Sequence, residues 1–156
     1  MTLADFTNLN LLVPELLNER QESVVAELSK RLAESACVKN ACVFTHAVLR
    51  HESLVSSVFD QVAFPLARGH TAMELSFAIG LSQYGILWNK RPTLPVHVVV
   101  LSAIPCSTAS EHLRVAMTFS RLLNEKDFFC ILRQSRRPED MFSLLNRVDL
   151  CGARRA

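Results

Sequence analysis

The sequence predicts an α/β domain: one mixed β-sheet with helices packed against it. Three observations carry that expectation. Apolar residues recur at helical spacing from Val24 to Ala33 and again beyond Thr108. Apolar and polar or small residues alternate from Met73 to Leu81, the period of a strand. The stretch Pro95–Ile104 is almost continuously β-branched, as a central strand is. The order is helices, strands, helices, with no internal repeat and no Pro/Gly/Ser-rich linker. A single layered domain over 1–150 accounts for it, with 151–156 as a frayed tail.

Each element has its own signal. Leu3–Leu17 reads as a helical turn followed by an extended stretch that Pro14 ends or kinks. Val24, Val25, Leu28, Leu32 and Ala33 make one helical stripe, predicting a helix from Gln21 to Ala33. Asn40 is placed to cap a second helix reaching Leu54, on which Val43, Phe44, Ala47, Val48 and His51 share a face. Val58–Phe64 is short and rich in β-formers, a strand closed by Pro65. A brief strand at Gly85–Trp88 follows the alternating one, and Asn89–Thr93 is a turn. Ser107 or Thr108 can cap a helix over Ala109–Asn124, with Glu111 suited to a capping box or to the helix dipole. Its apolar stripe is Leu113, Ala116, Met117, Ser120 and Leu123. Asp127–Gln134 and Pro138–Val148 complete the helices, with Pro138 at a favoured first position.

Composition narrows the function classes. Hydrophobic residues form 49% of the 156 and charged residues 21%, which excludes intrinsic disorder. Seventeen Lys+Arg against 15 Asp+Glu leave a charge of +2, too balanced for a nucleic-acid binder. No secretory signal is read at the start. The longest apolar runs, near Val62–Ala67 and Val96–Leu101, fall far short of the ~20 residues of a membrane span. A cytoplasmic protein without membrane insertion is expected. Five cysteines, an odd number, read as free thiols. Cys42 and His46 share a helical face, but no further ligands stand at metal-binding spacing, so neither metal nor cofactor is expected.

Several segments match one pattern in order. Ala47-Val48-Leu49-Arg50-His51-Glu52-Ser53-Leu54 ends a second helix where Arg-Glu precedes Leu. Val62-Ala63-Phe64-Pro65-Leu66-Ala67-Arg68 is similar to an A-I-P-H-G-R site, and Phe77-Ala78-Ile79-Gly80 to the strand after it. Pro95 to Pro105 is similar to P-V-D-L-V-F-L-L-L-A-P, and Glu111-His112-Leu113 to a G-E-H-L helix start. Over roughly Leu3–Val148 the chain thus resembles the enzyme IIA domain of the fructose/mannitol/nitrogen (type 2) class of the bacterial phosphoenolpyruvate-dependent sugar phosphotransferase system. The resemblance implies a mannitol-specific enzyme IIA-like fold. It also implies a phosphocarrier, in which a histidine accepts a phosphoryl group from the phosphocarrier protein and hands it to a sugar-transporting partner domain. An Arg, a Gly-rich loop and a second His would surround the phosphoryl oxygens.

The chain departs from that pattern at its centre. The acceptor position is Leu66, whose side chain has no lone pair and cannot attack phosphorus. Val55–Gln61 contains no glycine. His51 stands where the family has its phosphate-facing Arg, Glu52 is retained, and Ser56 and Ser57 lie near the family's Ser-Thr. His97 replaces an Asp, while Arg68 and His112 remain. The pocket and anion-binding candidates are therefore His51, Glu52, Ser56, Ser57, Arg68 and His112. Each also has a plainer reading: His51 as an interior histidine, Arg68 as a solvated base, His112 as a polar residue of a helix start, His70 as an idle loop residue. The reading favoured is a non-catalytic regulatory or interaction module. It would meet a protein partner, from the phosphotransferase system or a regulatory pathway, through a surface made apolar by Phe64 and Leu66. The alternative is a working phosphocarrier with its acceptor moved to His112. A third reading is a small-anion sensor using Arg68, His112 and Ser57.

Overall fold

The computed structural model describes residues 1–89 and 95–151. Most of the predicted turn after Asn89 and all but Cys151 of the predicted tail lie outside the described residues. Two long antiparallel strands form the middle of a six-stranded mixed sheet: β5 (Ser76–Ile86) and β6 (Val96–Ile104). β1 (Leu12–Val13) runs parallel to β5 on its outer side. On the other side of β6, β3 (Val62–Ala63) pairs in parallel with its first half and β4 (Leu66–Arg68) with its second half. β2 (Val58–Phe59) closes that edge, antiparallel to β3.

Helices cover both faces of the sheet. α1 (Gln21–Glu34) and α2 (Ala41–Leu54) pack on one face, against Val99, Leu101 and Ala103. α3 (Ala109–Leu123), α4 (Lys126–Arg133) and α5 (Pro138–Asn146) cover the other, against Val98, Val100 and Phe77. Asn40 caps α2 as its sequence predicts, its side chain accepting from the Val43 N–H at 3.0 Å. Pro138 opens α5.

Several expectations need correction. Met73–Leu81 does not form a half-buried strand. Ser76 through Leu81 are all buried because both faces are covered, so the alternation there is one of size and not of exposure. Val58–Phe64 is not one strand but a tight hairpin, turning at Asp60 with φ +56°. The Leu66–Arg68 segment, unassigned from sequence, then adds β4.

On α3 the buried stripe is Val115, Thr118, Phe119 and Leu122, while Leu113 and Met117 are 60% and 49% exposed. Both sets have helical period; the second wins because Thr118 can be satisfied inside. Its hydroxyl donates to the Arg114 carbonyl and accepts from the Cys151 N–H, each at 2.8 Å. Of the two roles expected for Glu111 the capping box is absent, since the Thr108 hydroxyl donates to the Pro105 carbonyl instead, while its place in the first turn of α3 suits the helix dipole. On α2, Val43 and His51 face outward and the buried line is Phe44, Val48 and Glu52. His51 is therefore not an interior histidine.

Phe77 is 1% exposed and meets Phe119 edge-to-face at 5.3 Å, joining β5 to α3. Phe77→Ala is expected to cost about 3–5 kcal/mol of unfolding free energy, measured by urea denaturation followed by circular dichroism.

Candidate functional site

β4 sets Leu66 beside Ser102 and Arg68 beside Ile104, the last residue of β6. The chain leaves β6 through Pro105–Thr108 and enters α3, whose first turn carries His112; its N–H donates to the Thr108 carbonyl at 2.9 Å. Leu66, Arg68 and His112 thus belong to the carboxyl end of the parallel strands β4 and β6. Open α/β sheets place ligands at that end. Leu66 is half-buried and Arg68 exposed. His112 is half-buried, and its pKa is lowered, first by burial and then by the Arg68 charge. Near neutral pH it is an uncharged imidazole with a free lone pair beside a guanidinium.

Glu52 has a different role. It is 3% exposed, and both its oxygens are occupied. One accepts from the Ser57 N–H at 2.9 Å, the Trp88 indole at 2.8 Å and the Asn89 amide at 3.3 Å. The other accepts from the Ser57 hydroxyl at 2.7 Å. That hydroxyl in turn accepts from the Phe64 N–H at 3.2 Å. Glu52 and Ser57 therefore hold the loop from α2 to β3 in shape, and their polar atoms are engaged within the protein. Ser56 is exposed and accepts from the Asn89 amide at 3.1 Å, while His51 is exposed on the last turn of α2. The structure brings Arg68 and His112 together, and Glu52, Ser56 and Ser57 together. His51 projects to solvent and His70 is exposed, as its loop position implied.

Phe64 is half-buried between two aromatic neighbours, Phe59 at 6.3 Å and Phe119 at 5.7 Å. Phe59 is 59% exposed, and Leu54 and Val55 before it are also exposed. The register places this apolar group toward the start of β6, since Phe59 pairs with Val62 and Val62 with Val98, so it adjoins Phe64 and lies away from Arg68 and His112. Sequence reasoning missed Leu54, Val55 and Phe59; the signal was present in a loop with three large apolar residues and no partner strand beyond β2. Among the described residues no group of three His, Cys, Asp or Glu side chains converges on a metal position, and all five cysteines are free thiols.

Fold and site define a class: a layered α/β domain with a histidine–arginine pair at the carboxyl end of its parallel strands. The chain matches the family model of the phosphoenolpyruvate-dependent sugar phosphotransferase system, EIIA 2, over residues 6–148, and it belongs to that family. The fold is that of the nitrogen regulatory protein IIA from Neisseria meningitidis, with TM-score 0.76 at 18% identity over 91% of this chain and 97% of that one. It is also similar to the mannitol IIA of Escherichia coli, with TM-score 0.74 at 13% identity over 88% of this chain and 97% of that one. The same mannitol IIA in its complex with phosphorylated enzyme IIB matches with TM-score 0.73 at 13% identity, over 88% and 94% of the two chains.

Glu52→Ala leaves buried donors without an acceptor and is expected to destabilise the chain by about 3 kcal/mol. Glu52→Gln loses less, because the amide keeps one acceptor oxygen. Urea unfolding followed by fluorescence of Trp88, the one tryptophan of the chain, reads both. For His112, the folded protein takes up the ring proton later than the unfolded chain does. Its contribution to stability is full above the ordinary value of 6.5 and falls as pH drops toward the lowered folded value. His112→Asn is expected to flatten that acid-side loss in thermal melts against pH, and Arg68→Gln to move the His112 titration upward by NMR.

Proposed function

We propose that this chain is an enzyme IIA-like protein that no longer carries phosphate at the family's acceptor position and acts by contact with a protein partner. Leu66 carries the reading. A phosphoryl group can rest only on an atom with a lone pair, and that side chain has none. The surroundings support it. The glycine-free loop between α2 and β3 is tied down by the Glu52 hydrogen bonds, which engage the Ser57 N–H and hydroxyl within the protein and away from phosphoryl oxygens. The exposed Leu54, Val55 and Phe59, in the segment that precedes Phe64, offer apolar area to a partner.

Such a protein behaves as a relative fixed in its unphosphorylated state, binding its partner whatever the phosphorylation level of the pathway. The partner class is a phosphotransferase-system or regulatory protein. A related mannitol IIA is found in complex with phosphorylated enzyme IIB. The five free thiols suit the reducing cytoplasm, and among the described residues no helix is long and apolar enough to cross a membrane.

One observation favours a second reading. His112 keeps an uncharged imidazole beside Arg68 and could attack the phosphorus of a donor phosphohistidine, the new P–N bond forming as the donor's breaks. The two readings separate in one experiment. The chain is incubated with labelled phosphoenolpyruvate, the general phosphotransferase enzyme and the phosphocarrier protein. No stable label is expected. Label that disappears in His112→Ala establishes the second reading, and label that persists there overturns both.

A further inference from the structure

At the opposite end of the sheet, where β6 begins, lies a second polar constellation. The backbone N–H groups of His97 and Val98 both donate to the Gln61 carbonyl, at 2.9 and 3.2 Å. Two residues of one strand facing one of the next make a β-bulge, a feature that re-aims side chains. Its effect shows in the core. Val96 joins the layer of α1 and α2, whereas Val98 and Val100 join the layer of α3 to α5, so strict alternation breaks at His97.

The bulge leaves the imidazole held on two sides. Nδ1 lies 2.9 Å from the Ser82 carbonyl. A carbonyl oxygen only accepts, so Nδ1 carries the hydrogen and Nε2 is the nitrogen without a hydrogen-bond partner among the described residues. Gly85 closes the other side. Its φ is +93°, and a Cβ there would stand 3.3 Å from the imidazole Cε1 and 2.6 Å from Pro95 Cβ, which leaves no room for a side chain.

Gln61 links this histidine to an arginine. While its carbonyl accepts the bulge, its side-chain oxygen accepts from Arg133 Nη1 at 2.7 Å. Arg133 lies in the last turn of α4, where a cation also suits the helix dipole. The dipole explains a basic residue there; it does not explain a guanidinium anchored on the residue whose carbonyl accepts the bulge, with His97 lining the same cleft. A cleft of about 920 Å³ opens over the pair, and Arg136, Gln83 and Gln134 also line it. Arg136 has no hydrogen-bond or ion-pair partner among the described residues. Among the described residues Glu15 is the one carboxylate of the lining, against two arginines and a histidine. The volume falls within the ~300–1,000 Å³ of small-molecule sites. Arginines pair with phosphate oxygens in a two-pronged geometry, and donors ordered beforehand reduce the entropy lost on binding.

We propose that this cleft binds a phosphorylated small molecule of nucleotide or sugar-bisphosphate size. Arg133 and Arg136 take the phosphate oxygens, His97 Nε2 makes a further polar contact, and the two glutamines meet the uncharged part. The site stands apart from Leu66 and does not depend on the contact function proposed above.

The test is isothermal titration calorimetry on the full chain with ATP, a sugar bisphosphate and citrate, at one ionic strength. Saturable binding of a phosphorylated probe is expected, and whichever of the two binds tighter identifies the ligand class. Citrate, of comparable charge, is expected to bind more weakly. Arg136→Gln and Arg133→Gln are each expected to weaken the phosphorylated probe about tenfold or more. Arg136→Gln breaks no described contact, so its unliganded melting temperature stays at the parent value and a loss of binding is not a loss of fold. The proposal is overturned by no saturable heat with either phosphorylated probe, by citrate matching them, or by affinity unchanged in Arg136→Gln.

Discussion

A carboxylate taken out of water costs several kcal/mol unless donors replace its hydration. In this protein Glu52 meets that cost with donors from two distant stretches of chain. Ser57 supplies two, five residues along, and Trp88 and Asn89 supply the others from beyond the end of β5. The hub therefore does more than neutralise itself. It joins the end of α2 to the far end of the longest strand and gives the intervening loop one conformation. Ser57 passes the constraint on to Phe64, accepting the Phe64 N–H at both its hydroxyl and its carbonyl. From Phe64 the chain runs through Pro65 into β4, so the placement of Leu66 follows from bonds that residue does not make.

That arrangement sets the shape of the site without help from the side chain at position 66. The strand pairing of β4 on β6 is a backbone property, indifferent to whether position 66 is His or Leu. Arg68 and His112 are placed by the same pairing and by the entry into α3, again without reference to Leu66. The aromatic row from Phe59 through Phe64 and Phe119 to Phe77 then anchors the loop edge in the core. Scaffold and chemistry are separable here because they rest on different atoms.

Both ends of β6 carry polar groups, and they differ in kind. The carboxyl end holds an imidazole whose pKa is lowered by burial and an exposed guanidinium, with the half-buried Leu66 on the same short strand. The amino end holds a bulged histidine, an anchored arginine and an open polar cleft. The bulge at His97 is what separates them: without it, His97 would alternate with its neighbours like any strand residue.

The residues alone determined the element order, the two long helices before the sheet, the β-branched centre and the absence of a nucleophile at position 66. These depend on local spacing and on side-chain chemistry, which the chain carries wherever it folds. Tertiary structure decided which face of each helix is inside. Leu113 and Met117 have the same period as Val115 and Phe119, and only the position of the sheet and the satisfied hydroxyl of Thr118 choose between them. It likewise decided that Glu52 is buried and His51 is not, a difference of one position on α2 that follows from the reach of Trp88 and Ser57. The hairpin at Asp60, the short β4 and the bulge at His97 lie below the resolution of periodicity, because each spans two or three residues. Their form is set by strands far away in the chain, which local sequence does not encode.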